Sequence, residues 1–164
     1  MEGFVHMETA VDRLKKGLTA AFIDKGVYSG ESYRPQLVLN NHKLGQKVLT
    51  SLETELNNCD EFFISVAFIT MSGITPLLQT LQELESDGVK GKIITTDYLS
   101  FSEPAALEKL NSFRNIELRF YCAGDRGFHT KGYIFRRGEE YRIIVGSANL
   151  TKCAIKPLPS GMGI

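Results

Sequence analysis

The fold is decided by residues 61–99, EFFISVAFITMSGITPLLQTLQELESDGVKGKIITTDYL. Residues 61–69 are short, aromatic and β-branched between polar flanks, which is typical of a buried strand. Leucines at helical spacing predict a helix over 73–86, and residues 90–99 form a second buried strand. A strand, a helix and a strand in this order predict parallel pairing of the two strands, because a crossover connection joins them.

The same alternation extends on both sides of this unit. Amphipathic periodicity and a proline at a helix start predict three more helices. They are residues 7 to about 26, 42–58 and 104–113. Alternating or continuous apolar runs predict three more strands, the last two joined as a hairpin. They are residues 116–122, 128–135 and 140–146. The sequence therefore predicts an α/β fold with a mixed sheet flanked by helices.

The composition is that of one soluble globular domain, with 164 residues of which 43% are hydrophobic and 23% charged. The longest apolar run, residues 62–69, is far shorter than the roughly 20 residues that a membrane helix needs. The N-terminus lacks the order of a secretory signal. Cys59, Cys122 and Cys153 are odd in number and far apart, which argues against disulfides and paired-thiol zinc sites. We therefore expect a cytoplasmic protein that does not act on a membrane.

Charge is divided unevenly along the chain, although the formal net charge is zero. Residues 1–87 hold seven lysines and arginines against twelve acidic residues, and residues 88–164 hold twelve against seven. Such a split allows a phosphate-bearing ligand to bind the C-terminal half, but solvated surface charge is the more common cause. The charge distribution is compatible with nucleic acid and does not identify it.

The segments with the clearest chemistry are FHTKG at 128–132 and GSAN at 146–149. In a strand, His129 and Lys131 project to the same side, so an imidazole and an ammonium become neighbours. Gly146 ends the next predicted strand, and Ser147 and Asn149 follow as a tight turn that opens a helix. This geometry directs side-chain donors and backbone N–H groups at an anion. Together the segments predict a phosphate site that contains a nucleophile.

Each segment alone has an ordinary explanation. His-x-Lys arises easily by chance in a chain of this length, and Gly-Ser-x-Asn is also a common turn and N-cap string. The probability of both, in this order and on the predicted elements, falls to the order of one in a thousand at average composition. The combination favours the functional interpretation.

These motifs resemble the phospholipase D superfamily, whose signature is His-x-Lys, a later Asp, and Gly-Ser-x-Asn. AFITMSGI, TTDYL, FHTKGYIF and GSANLT look most like the nuclease-like domains at the N-terminus of bacterial superfamily II helicases. The resemblance spans roughly residues 40–154. It implies an N-terminal helix and loop over 1–40, a phospholipase D-like domain over 41–154 and an irregular, shortened tail over 155–164.

The resemblance also implies a mechanism without metal or cofactor. His129 attacks phosphorus to form a phosphohistidine, and a second histidine protonates the leaving oxygen. Lys131, Ser147 and Asn149, with Gly146 at the start of the turn, bind the phosphate. From the sequence itself, Arg126, in the loop before the motif strand, is a candidate contact to the substrate.

The chain departs from the family signature at two places. Arg136 stands where the signature has its Asp, and the prolines and glycines of residues 155–164 cannot form the helix and strand that the family places there. A carboxylate to orient His129 is therefore not identified. Asp97, at the end of the strand in TTDY, is the substitute candidate, although a turn or capping role is the commoner one for such a residue.

Two classes of function follow. One is a metal-independent phosphodiesterase acting on nucleic acid, with DNA the expected substrate, that is fused to or associated with a helicase. The other is a catalytically impaired module that binds nucleic acid through the same pocket. Because the reaction needs two histidines and one motif supplies one, the first class predicts a homodimer that shares its active site.

Overall fold

The structure is a computed structural model that describes residues 8–41, 47–122, 124 and 127–155. The chain divides between Leu37 and Val38 into two compact units. In the first unit, helix α1 (Ala10–Phe22) begins at a capping box in which Thr9 and Asp12 satisfy each other's backbone N–H groups. The prediction of a helix here is confirmed, although the helix ends at Phe22 and not near Gly26. Its predicted first residue, Met7, lies outside the described residues.

The second unit is built on a five-stranded mixed sheet. Its strands are β1 (Glu61–Val66), β2 (Lys90–Thr96), β3 (Ile116–Tyr121), β4 (Lys131–Arg137) and β5 (Glu140–Val145). Their order across the sheet is β3-β2-β1-β4-β5. Strands β1, β2 and β3 are parallel, whereas β4 is antiparallel to both β1 and β5. The predictions of a parallel strand pair, a β4–β5 hairpin and a mixed α/β sheet are confirmed.

The described α-helices of this unit are α2 (Val48–Leu56), α3 (Met71–Ile74), α4 (Leu78–Ser86), α5 (Pro104–Asn111) and α6 (Lys152–Ile155). Three of them, α3, α4 and α5, connect the parallel strands of this sheet, and α2 and α6 lie before β1 and after β5. The prediction of one continuous helix over 73–86 is wrong, because a 3₁₀ turn over Thr75–Leu77 separates α3 from α4. Pro76 lies in that turn and has no N–H to donate to a longer helix. Within the described part of the chain, no helix is long and apolar enough to span a bilayer.

Burial alternates along the two central strands. Phe62, Ile64 and Val66 of β1 are buried among the helices, and Tyr133 and Phe135 of β4 join the same core. Lys131 is in phase with these two residues and is itself only 8% exposed. The period-two pattern of β4 therefore directs a lysine side chain toward the apolar side of the sheet.

The ends of all five strands lie together along one edge of the sheet, the edge where β1, β2 and β3 finish. It holds the carboxyl ends of β1, β2 and β3, the start of β4 and the end of β5. The register shows this directly, because Val66 is opposite Lys131, and Gly132 is opposite Val145. The two sequence motifs therefore meet at the edge where parallel strands of open α/β sheets usually present their ligand site.

Candidate active site

A histidine and a lysine are in direct contact at this edge. The Nζ atom of Lys131 lies 2.6 Å from Nδ1 of His129 and donates a hydrogen bond to the His129 carbonyl at 3.0 Å. His129 is exposed to solvent, whereas Lys131 is buried. The pair therefore presents an accessible imidazole above a shielded cation.

The contact sets the proton on the imidazole. An ammonium group has donors and no acceptor, so Nδ1 of His129 must accept the hydrogen bond from Lys131. A neutral His129 in this arrangement carries its proton on Nε2. In this tautomer Nε2 carries a proton and has no lone pair free to attack phosphorus. Attack on phosphorus requires the other tautomer.

Lys131 lies where a positive charge is poorly solvated. Burial lowers the pKa of Lys131 from its ordinary value, because the charged form loses solvation. None of the ion pairs among the described residues involves Lys131. An anion that reaches this edge would supply the missing counter-charge.

The GSAN segment is fixed to the end of β1. The side-chain oxygen of Asn149 accepts hydrogen bonds from the backbone N–H groups of Ala67 at 3.2 Å and Phe68 at 3.3 Å. Its amide nitrogen is the part of the side chain left to meet a phosphate. Gly146 donates its N–H to the carbonyl of Lys131 at 3.2 Å, and Ser147 is exposed in the turn.

Two predictions about element ends are corrected here. No strand pairing precedes Lys131 in β4, because its partner Val66 is the last residue of β1, so His129 lies in the connection before the strand. The turn does not open a helix at Asn149. Leu150 instead donates its N–H to Phe68 and accepts from Thr70, and α6 begins only at Lys152. Strand-like contacts thus replace the expected helix N-terminus.

Two residues outside the FHTKG and GSAN segments, Tyr133 and Gly73, pack against the GSAN turn and the residue that follows it. Tyr133 is 1% exposed, and its hydroxyl donates to the carbonyl of Ala148 at 2.7 Å. Burial raises the pKa of Tyr133 strongly, so the hydroxyl stays protonated and remains a donor. On the other side, a Cβ on Gly73 would lie 2.0 Å from the Leu150 carbonyl oxygen. The sequence signal for Tyr133 was its position in phase with Lys131, since a buried tyrosine needs a hydrogen-bond partner.

Aromatic and hydroxyl groups also border the pair. The ring of Phe68 packs against His129 with centroids 5.6 Å apart and an interplanar angle of 65°. The hydroxyl of Thr130, between His129 and Lys131, is hydrogen-bonded to the hydroxyl of Ser65 in β1 at 2.6 Å. The sequence gives no direct signal for Phe68, because its apolar neighbours assign it to the strand core.

The two candidate positions for an orienting carboxylate lie at different ends of the sheet. Arg136 is opposite Glu61, where its Nε lies 3.3 Å from a Glu61 carboxylate oxygen. Five residues along a strand span about 16 Å, so Arg136 is remote from His129. Asp97 follows β2 at the active edge, is exposed and accepts a hydrogen bond from the Thr96 hydroxyl at 3.3 Å.

The candidate substrate contact Arg126 lies outside the described residues, as does the predicted tail from 156 onward. The two histidines of the chain besides His129, His6 and His42, also lie outside them. Within the described ranges, no group of three or more His, Cys, Asp and Glu side chains is arranged to hold a metal ion.

The fold and the site define a class of α/β domain in which a His-x-Lys pair and a Gly-Ser-x-Asn turn meet at one edge of a mixed sheet. Residues 52–157 match the family "Cardiolipin synthase, PLD-like domain", and the chain belongs to this family. The phospholipase D-like assignment drawn from the motifs is thereby confirmed.

Among solved structures, NucT from Helicobacter pylori is similar to this chain, with a TM-score of 0.52 and 18% identity. The alignment covers 68% of this chain and 72% of that one. At this identity the likeness shows the fold alone. No curated protein has a significant match to the chain.

Proposed function

We propose that the chain is a metal-independent phosphodiesterase that cleaves nucleic acid through a phosphohistidine intermediate. The observation that carries this proposal is the buried Lys131 ammonium 2.6 Å from Nδ1 of an exposed His129. A shielded cation beside an accessible imidazole supplies both charge neutralisation and a nucleophile for a phosphodiester.

The chemistry needs two histidines. A lone pair on one imidazole attacks phosphorus, the bond from phosphorus to the leaving oxygen breaks, and a second imidazolium gives that oxygen a proton. The second imidazole then removes a proton from water, and the hydroxide attacks the phosphohistidine and breaks its P–N bond. Lys131 and the Asn149 amide stabilise the charge on the non-bridging oxygens.

The hydrogen bond between Lys131 and His129 Nδ1 makes the order of these reaction steps depend on the substrate. A phosphate at the edge draws the Lys131 ammonium away from His129 Nδ1, since a phosphate is the stronger partner for a buried cation. The imidazole proton can then move from Nε2 to Nδ1 and free Nε2 for attack. In this proposal Asp97 is the carboxylate that holds the proton at Nδ1.

A second copy of the chain supplies the second histidine. His6 and His42 belong to no second motif, so a two-fold arrangement that faces two His129 side chains is the simplest source. Exposed apolar side chains on β5 support such a pairing, because Ile143 is 59% and Val145 78% exposed beside the site. Under the same proposal the protein works in the cytoplasm, fused to or associated with a helicase.

The alternative is a binding module without turnover, and the contact between Lys131 and His129 Nδ1 favours it. Lys131 occupies the nitrogen that an orienting carboxylate would hold, and Arg136, which replaces the motif Asp, is engaged with Glu61 at the far end of β4. If a carboxylate near His129 is indispensable, the site can still hold phosphate through Lys131 but cannot complete the reaction.

The decisive experiment is incubation of the purified chain with labelled single- and double-stranded DNA in excess chelator. We expect cleavage and an acid-labile phosphoenzyme, both lost in His129→Ala and kept in the control His42→Ala. Binding without cleavage would support the alternative. Cleavage that stops in chelator and returns with magnesium or zinc would refute the mechanism.

Sharing of the site is tested by adding excess His129→Ala chain to the parent chain. A mixed pair has only one His129, so a shared site predicts that the added inactive chain lowers the activity of the parent. The specific activity of the parent alone is also followed across a dilution series. A shared site predicts specific activity that falls on dilution, because the pair dissociates. Activity proportional to enzyme concentration at every dilution, together with a strict monomer in sedimentation, would refute sharing.

A further inference from the structure

The loop that follows β2 exposes apolar side chains at the active edge. Leu99 and Phe101 are 59% and 58% exposed, and both lie between Asp97 and α5. An exposed phenylalanine on a monomer surface is ordinary when it stands alone. Here it lies in a row of rings that ends at His129.

That row is made of three side chains. The Phe101 ring meets the Phe68 ring edge to face, with centroids 5.1 Å apart and an interplanar angle of 90°. Phe68 in turn packs against the imidazole of His129 at 5.6 Å. An apolar surface therefore runs without interruption from the proposed nucleophile to the solvent-facing ring of Phe101.

The loop is held in place on the side away from its exposed tip. Ser102 accepts a hydrogen bond from the backbone N–H of Ile69 at 3.3 Å, and Glu103 donates its own N–H to the Ile69 carbonyl at 2.8 Å. The Glu103 carboxylate also accepts from the N–H of Met71 at 2.7 Å. These bonds tie the loop to the segment after β1, so the exposure of Phe101 belongs to an anchored backbone.

The tip itself has an unusual backbone. Leu99 and Ser100 have φ values of 57° and 53°, in the left-handed region that costs free energy for residues other than glycine. Two consecutive residues in this region are retained only where the surroundings enforce them, and such residues are concentrated at ligand sites. In this conformation the Leu99 side chain is exposed.

We propose that Phe101 and Leu99 form a stacking subsite for an unpaired nucleobase of the nucleotide that carries the scissile phosphate. This rests on the proposed function, because the phosphate at His129 and Lys131 fixes which base reaches the loop. Every base has a flat π-face, so an aromatic platform binds bases with little regard to sequence. A base inside a duplex has both faces covered by its neighbours, and the subsite therefore selects single strands.

Binding is measured in the His129→Ala background, so that the test does not depend on cleavage. The probe is a single-stranded oligonucleotide that contains a fluorescent purine analogue, whose emission is quenched on stacking. Phe101→Ala is expected to lose the quenching and about 5- to 150-fold in affinity, the range for one stacked base. Phe101→Trp is expected to retain both.

The control is Tyr141→Ala, which removes a 60% exposed aromatic ring from the opposite end of the sheet. It is expected to bind as the parent does. Equal binding by Phe101→Ala and Tyr141→Ala, or no quenching by the parent, would overturn the subsite while leaving cleavage as a separate question. Loss of binding to anionic phospholipid vesicles in Phe101→Ala, with oligonucleotide binding intact, would overturn it and assign the loop to a lipid surface.

Discussion

Replacement of Asn149 separates its structural role from its proposed phosphate contact. The Asn149 oxygen accepts from the N–H groups of Ala67 and Phe68, and Ala67 is 0% exposed. Asn149→Ala removes this acceptor from both N–H groups, of which the one on Ala67 belongs to a fully buried residue. An unsatisfied buried donor costs about 1–3 kcal/mol and an ordinary hydrogen bond contributes about 0.5–1.5 kcal/mol. We therefore expect a loss of about 2–4 kcal/mol in the free energy of unfolding.

Asn149→Asp is the matched variant. A carboxylate of the same shape still accepts from both N–H groups, so the free energy of unfolding should fall by less than about 1 kcal/mol. The new negative charge lies at the anion site and should repel phosphate. Asn149→Ala thus lowers stability and binding together, whereas Asn149→Asp lowers binding alone.

The measurement is urea unfolding followed by circular dichroism, with oligonucleotide binding measured on the same preparations. An unchanged m-value with a lower midpoint reports a true loss of stability. In thermal unfolding, the loss in Asn149→Ala corresponds to about 4–16 °C in Tm for a chain of this size. The reasoning is refuted if Asn149→Ala unfolds at the parent midpoint, or if both variants lose equal stability.

Three further substitutions test the neighbouring groups. Lys131→Ala should lower the salt dependence of oligonucleotide binding by about one unit of slope, since one counterion-releasing contact is removed; an unchanged slope would place Lys131 away from the phosphate. Arg136→Asp should lower the free energy of unfolding by about 1 kcal/mol by facing Glu61 with a like charge, without raising cleavage; a large gain in activity would contradict the structural role. Tyr133→Phe should cost about 1 kcal/mol in urea unfolding by removing the donor to the Ala148 carbonyl, and an unchanged midpoint would show that the bond contributes nothing.

Local patterns were sufficient to predict the sheet. Strand composition around Phe62 and Ile93, and a crossover helix between them, predict the parallel pair, because hydrophobic periodicity and handedness act over short stretches of chain. The same patterns bring His129 and Gly146 to one edge through a simple hairpin. Pro76 gave a readable signal for the break between α3 and α4, which the leucine periodicity obscured.

The details of the site depend on contacts between distant residues, and the sequence does not encode these as patterns. The bonds from Ala67 and Phe68 to Asn149 join segments more than 80 positions apart. They end β1 at Val66 and displace the expected helix start to Lys152. The contact between Lys131 and His129 Nδ1 likewise requires a side-chain rotamer and a ring orientation that residue spacing does not specify.

The bonds between Asn149 and the end of β1 also set when the site can exist during synthesis. The chain between Phe68 and Asn149 must form a closed loop before either bond can form. The conformational entropy of that loop is lost before the two bonds compensate for it. The ribosome adds β1 early and the GSAN turn about 80 residues later, which at roughly 5–20 residues per second takes about 4–16 seconds. His129 is itself added about 20 residues before Asn149, so it has no finished phosphate pocket beside it until the turn follows, and a nascent chain carries its earlier strands and helices without the assembled site.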